Sequence, residues 1–362
     1  MLIHHLVDGN FERSAPSWLG RIFNAPIGVQ LFLVLSGWLL GGQLLRALRR
    51  SGRIDVFRFW GRRWLRTLPA YYAVLALRVI SGRNSLPEGA GMLVFTQNYL
   101  APNAWQISWS LCVQEHFYLV LPLVLLVVAR RPRLGIAVGL ASLLVPALLR
   151  CTLSRSPGEW FEMVYAPTHM RLDALALGVL LAALSEGGGT VWTWCRKQGR
   201  ALAVGGLATI AVIDFTPWFF GDTLASGFAF SIGTLGLSVG AALLIPAAVE
   251  SNPQERRWWC APVTWIADHA YVLYLLHTSV YSVVQAAAER LALPPLAIAV
   301  LMIAATACAA WILRATVERP ALRVRDRLLA SPKPVGPPPR ATELRAQQRL
   351  GGVVQPPDAG AS

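Results

Sequence analysis

The sequence predicts an all-α protein: a polytopic transmembrane helix bundle of about ten helices, the first one truncated. Three observations carry that expectation. The 362-residue chain is 55% hydrophobic and only 14% charged, more apolar side chain than one water-soluble core can bury. Its apolar residues come in blocks near the roughly 20 helical residues that cross a hydrocarbon layer of about 30 Å. A closed barrel would instead show alternating segments of about 10 residues. Finally, the 33 Lys and Arg residues sit mainly in short loops between the blocks, as the rule that positive loops stay inside demands.

The elements follow in order. Residues 1–7 form an apolar stub that runs into a polar segment at 8–26, so a first spanning helix is cut off. Block 27–45 ends in a dense basic loop, 46–66, holding Arg49, Arg50, Arg53, Arg58, Arg62 and Arg63. This loop is expected to be cytoplasmic. From it the sides alternate. Block 68–80 goes out, 109–129 returns to Arg130 and Arg131, 134–149 goes out, and 172–184 returns to Arg196 and Lys197. Block 201–213 goes out, 228–249 returns to Arg256 and Arg257, 263–288 goes out, and 297–313 returns to a basic C-terminus. Residues 1–325 are read as the transmembrane domain. Residues 326–362, rich in Pro, Gly, Ala and Arg without an apolar period, are read as a disordered cytoplasmic tail. The expected location is the cell inner membrane, multi-pass, with both termini inside.

A formal charge of +14 raises nucleic acid as a partner, but charge confined to loops between membrane blocks argues for topology and against nucleic-acid binding. The five cysteines, Cys112, Cys151, Cys195, Cys260 and Cys308, are scattered, with neither a disulfide framework nor metal-ligand spacing. Residues 1–7 lack a basic leader region and are too short for a signal peptide.

Ionisable side chains inside apolar blocks are expensive and so mark candidate sites. His4 and His5 end the stub; an imidazole with a pKa near 6.5 can accept a hydroxyl proton and return it. Ser36 and Gly37 lie in Gln30-Leu-Phe-Leu-Val-Leu-Ser-Gly-Trp38, where small residues permit close helix contact. Arg63 and Arg66 are three apart and share a helical face, suited to a polyphosphate or, more blandly, to setting topology. Glu115 and His116 enter the block that begins Trp109-Ser-Leu-Cys-Val-Gln114. His169, Arg171 and Asp173 open another; Arg171 and Asp173 do not face each other, so each should pair with another helix. His277 lies mid-helix, and Glu318-Arg-Pro320 reads as a helix-end surface feature.

In this order, His4 to Pro320, these segments resemble the acyltransferase-3 family of bacterial membrane O-acyltransferases. The most specific matches are Ser36-Gly37, Arg63 and Arg66 with Pro69, Trp109-Ser-Leu with Phe117-Tyr118, and Thr168-His-Met-Arg-Leu-Asp173. The resemblance implies a roughly ten-helix bundle that takes an acyl group, often acetyl, from cytoplasmic acyl-CoA to a hydroxyl of a glycan or other acceptor. No permanently bound cofactor is implied. It makes a first-helix histidine catalytic: His4, with His5 as the fallback. The arginine that precedes this histidine by about ten residues would lie before Met1, so either the start is upstream or this form lacks part of its site. Gln114 departs from the glutamate usual after Trp-Ser-Leu-x-Val, and Glu115 next to it points elsewhere on a helix.

The expected mechanism makes His4 the general base, or a transient acyl carrier, with Glu115 assisting. Arg63 and Arg66 hold coenzyme A phosphates, while Ser36, Trp109, Gln114, His169, Arg171, Asp173 and His277 line or brace the cavity. Two other readings share the intramembrane charges: a transporter or flippase of a lipid or glycan, and a non-catalytic membrane scaffold.

Overall fold

The structure is a computed structural model that describes residues 25–152, 157–216, 227–250, 260–291 and 293–329. The stub, with His4 and His5, and residues 330–362 of the expected tail lie outside the described residues. The long helices are α1 (Ala25–Ser51), α2 (Val56–Ile80), α3 (Trp109–Val128), α4 (Pro132–Thr152), α5 (Leu172–Gly187), α6 (Gly199–Phe215), α7 (Gly227–Glu250), α8 (Cys260–Arg290) and α9 (Pro295–Leu313). A π-helical turn, Arg314–Glu318, then leads into α10 (Arg319–Leu328). No strand occurs among the described residues.

Each full apolar block has become one helix, but the count of membrane crossings differs from expectation. Among the described residues, five helices are long and apolar enough to cross a membrane, or six if Leu172–Gly187 and Thr190–Lys197, bent by 104°, form one broken span. These described helices do not confirm the expected count of about ten. The reasons are local: α2 carries five arginines, and α5 and α6 have 16 and 17 residues, below the ~20 of a full crossing. The apolar run of α8 is interrupted by Asp268, His269 and His277.

The basic loop expected at 46–66 is mostly helix. α1 runs on to Ser51, and α2 starts at Val56 because Asp55 caps it, its carboxylate accepting from the Arg58 N–H at 2.9 Å. The arginines of this stretch other than Arg53 therefore project from helix faces at fixed angles.

Packing places α3 between two groups. On one side Trp109 and Val113 meet Val29, Leu33 and Val34 of α1, Leu175 of α5 and Ala241 of α7. On the other, Leu111 and Cys112 meet Tyr71 and Val74 of α2, Leu275 of α8 and Leu313 of α9. α1 and α5 touch backbone to backbone: a Cβ on Gly37 would strike the Leu175 carbonyl, and one on Gly178 the Val34 carbonyl. Glycine at such contacts lets dispersion act where lipid removes the usual hydrophobic drive. Leu39, Leu123, Val127, Ile136, Leu144 and Ile303 face outward, exposed, as a surface solvated by acyl chains requires. The chain is a multi-pass membrane protein.

Three ion pairs tie helix ends together: Arg46 to Glu186 at 2.6 Å, Arg196 to Glu250 at 3.4 Å and Arg314 to Asp268 at 3.8 Å. They join the C-terminal ends of α1 and α5, the approach to α6 and the end of α7, and the end of α9 and the start of α8. These pairings fit the alternation of direction along the chain and define one basic end of the bundle.

Gly178→Ala is expected to cost about 1–3 kcal/mol, because the obstacle is backbone that cannot rotate away. A thermal melt in detergent should show a clearly lowered midpoint for Gly178→Ala and none for Gly187→Ala, where a Cβ meets open space.

Candidate active site

The centre of the molecule is a run of three polar residues on α3. Successive helical residues are turned by about 100°, so each reaches a different neighbour. The Gln114 amide donates to Ser36 Oγ of α1 at 3.1 Å. Glu115 Oε1 accepts from the Thr67 hydroxyl of α2 at 3.1 Å. His116 Nδ1 lies 2.7 Å from Thr168 Oγ1, in the short 3₁₀ turn before α5. The sequence-level inference that Gln114 and Glu115 point apart holds.

Toward the basic end, Arg63 donates to the Tyr118 hydroxyl at 3.1 Å and stacks its guanidinium 4.3 Å from that ring. Tyr271 of α8 donates to the Thr67 carbonyl at 2.8 Å, closing the seam from the other side. Arg63 is half-buried against α3 whereas Arg66 is exposed, so one turn of α2 presents one guanidinium inside and one at the surface. Glu318 is buried, contrary to the surface reading of Glu318-Arg-Pro320. Pro320 supplies no N–H and crowds the carbonyl four residues back, and the backbone widens into the π turn, directing Glu318 toward the bundle.

At the opposite end stands a second polar group. Asp173 pairs with Arg150 of α4 at 2.5 Å, both side chains 0% exposed, and Arg150 also donates to the Met170 carbonyl. Arg171 donates to the Tyr165 carbonyl at 2.9 Å, and its guanidinium lies 4.1, 5.0 and 5.2 Å from the rings of Tyr165, Trp109 and Phe230. Arg171 and Asp173 thus take separate partners, as their spacing requires. His169 is exposed and its Nδ1 sits 3.2 Å from the Tyr99 hydroxyl; desolvation holds this imidazole below its ordinary pKa, hence neutral at pH 7. His277 is fully buried, its Nδ1 2.7 Å from the Tyr274 carbonyl.

The expected site residues among the described ones thus gather in two groups bridged by α3. Ser36, Arg63, Gln114 and Glu115 join toward the basic end; Trp109, His169, Arg171 and Asp173 gather at the other. Thr67, Tyr271 and Arg150 were not among the expected site residues, while Tyr118 was noted only within the Phe117-Tyr118 motif and Glu318 only as a surface feature. Arg150 carried a signal, since an arginine closing the outward end of an apolar block runs against the charge rule. The hydroxyls carried none, because tyrosine and threonine are ordinary in apolar helices.

A family model described as an acyltransferase domain matches residues 1–315. "Peptidoglycan O-acetyltransferase OatA" of Listeria monocytogenes is 26% identical over 309 residues, which cover 77% of this chain and 48% of that protein. "Putative peptidoglycan O-acetyltransferase YrhL" of Bacillus subtilis is 27% identical over 286 residues, 69% and 43% of the two chains. "Putative O-acetyltransferase SACOL0978" of Staphylococcus aureus is 26% identical over 303 residues, 71% and 46%. The chain spans about half the length of the curated relatives it matches. No solved structure matches it significantly.

The buried Arg150–Asp173 pair yields a sharp expectation. Asp173→Leu alone strands a buried guanidinium and should destabilise by about 3–5 kcal/mol, whereas the double change Arg150→Met with Asp173→Leu should recover most of that. Detergent melts of the single and double variants decide it: equal loss in both would show that the pair is not the source of the cost.

Proposed function

The chain belongs to the acyltransferase-3 family, and on that premise we propose that it is a membrane O-acyltransferase. The proposed reaction moves an acyl group, acetyl in the simplest case, from acyl-CoA to a hydroxyl of a cell-envelope glycan. The observation that carries this reading is the family match over residues 1–315, to which the names of the peptidoglycan O-acetyltransferase relatives add the acceptor class. The geometry supports it in kind: a half-buried Arg63 and an exposed Arg66 stand at the basic end, and a polar seam leads inward from Arg63 through Thr67 to Glu115.

In this proposal the donor enters from the basic end, which is cytoplasmic in an inner-membrane protein with its C-terminus inside. Guanidinium groups suit its phosphates because they offer several fixed N–H donors and keep their charge at any physiological pH. Arg66 takes phosphate at the surface, and Arg63 continues the contact inward. His4, or His5 in its place, removes the acceptor hydroxyl proton; the oxygen attacks the thioester carbonyl, the C–S bond breaks and the coenzyme A thiolate takes a proton. Ser36, Gln114 and Glu115 line the path beside the thioester.

Two measurements on purified full-length protein with labelled acetyl-CoA and a glycan acceptor test the reading. His4→Ala should abolish label transfer while leaving the melting temperature unchanged; full retained activity would remove His4 from the mechanism. Arg66→Gln should raise KM for acetyl-CoA about tenfold, the worth of a charge-assisted hydrogen bond of about 1.5 kcal/mol, with kcat little changed. Movement of a glycan across vesicles without thioester consumption would instead establish transport.

A further inference from the structure

The π turn after α9 brings side chains to the basic end that the reading above does not use. Arg314 Nε and Nη1 are buried and without a hydrogen-bond partner. The carboxylate nearest to them, Asp268, is 3.8 Å from Nη2 and itself 61% exposed, a loose contact screened by water. Glu318 Oε2 and His269 Nε2, on side chains that are 5% exposed, also lack partners. Arg66 is within electrostatic reach of Arg63, Glu318, Arg325 and Arg314. Both the π turn and α10 pack on α2, and the end of α10 is tied to the start of α2 by Arg58 and Arg62, which both donate to the Leu329 carbonyl, at 3.3 and 2.8 Å.

Two buried guanidinium nitrogens whose three N–H donors are unpaired are costly, about 1–3 kcal/mol for each group left unsatisfied, and a third like charge near Arg63 and Arg66 adds repulsion. An anion with several acceptor oxygens removes both costs together. We propose that Arg314 is a donor-binding residue, joining Arg66 across the gap between the π turn and α2 to hold the phosphates of the acyl donor. Glu318 is the positioning residue, lying within reach of both guanidinium groups and limiting their mutual repulsion. The proposal rests on acyl-CoA as the donor. It makes the nucleotide end of the donor, and not its acyl-pantetheine arm, the part that this turn recognises.

The test compares two thioesters on the full chain: acetyl-CoA, and S-acetylpantetheine, which has the same reacting end and no phosphate. Arg314→Gln should lower kcat/KM for acetyl-CoA at least about tenfold, mainly through KM, and leave S-acetylpantetheine within about twofold. Arg314→Lys, which keeps the charge but loses the planar fork, should fall between. Equal losses on both thioesters would assign Arg314 a structural role and overturn the proposal, as would no loss on either. If the wild-type protein consumes neither thioester, the acyltransferase reading fails and this inference falls with it. A wild-type protein that consumes acetyl-CoA and is indifferent to Arg314→Gln leaves that reading standing and sinks only the inference.

Discussion

Three consecutive polar side chains in the middle of a membrane helix set the terms for everything around them. Gln114, Glu115 and His116 on α3 interrupt an apolar span, and an unpaired amide, carboxylate or imidazole in an apolar surround costs several kcal/mol. Each is met by a hydroxyl from a different element: Ser36 of α1, Thr67 of α2 and Thr168 before α5. Because the three directions are about 100° apart, satisfying all of them requires neighbours on most of the circumference of α3. The division into two helix groups, one on the Trp109 and Val113 side and one on the Leu111 and Cys112 side, follows from that requirement as much as from apolar packing.

Arginine serves several physical purposes in this chain, and its surroundings decide which. Arg46 and Arg196 make solvent-exposed pairs at helix ends, worth little energy but consistent with helix direction. Arg150 is a buried counter-ion, whose removal would strand Asp173. Arg171 replaces a carboxylate partner with three aromatic faces, which attract the cation through their quadrupoles and exclude water at once. Arg63, Arg66 and Arg314 are different again: they stand at one end with neither a close buried carboxylate, as Arg150 has, nor a cage of three aromatic rings, as Arg171 has. That difference in surroundings is what the proposed role in donor binding rests on.

The two polar groups at opposite ends, linked by α3, suit a transferase whose substrates differ in water solubility and in compartment. In the proposed reaction the charged donor meets guanidinium at the basic end. The other end offers an exposed Tyr99–His169 stack over a rigid base of buried ionic contacts. Between them the residues at the level of Glu115 are held by single hydrogen bonds to hydroxyls, which can rotate to a new partner without disturbing the backbone.

How much of this was legible in the sequence depended on the range of the physics involved. Block length and hydropathy are local, and they located most long helices of the described residues within a few positions; α2 is the exception, starting twelve residues before the block at 68–80 because its first turns are rich in arginine. The separation of Arg171 from Asp173, and of Gln114 from Glu115, followed from helical period alone. The order of the motifs pointed to the family that the match over residues 1–315 identifies. Helix starts that depend on a cap, as at Asp55, and the burial of Glu318 behind the π turn were not legible, since each turns on a backbone hydrogen bond that no composition window registers. Nor could the sequence say that Arg150 belongs to Asp173, that Arg63 lies on Tyr118, or that the turn carrying Arg314 packs on the helix carrying Arg66. Those residues are 23, 55 and 248 positions apart, and a side chain's partner at such separations is chosen by how whole helices pack.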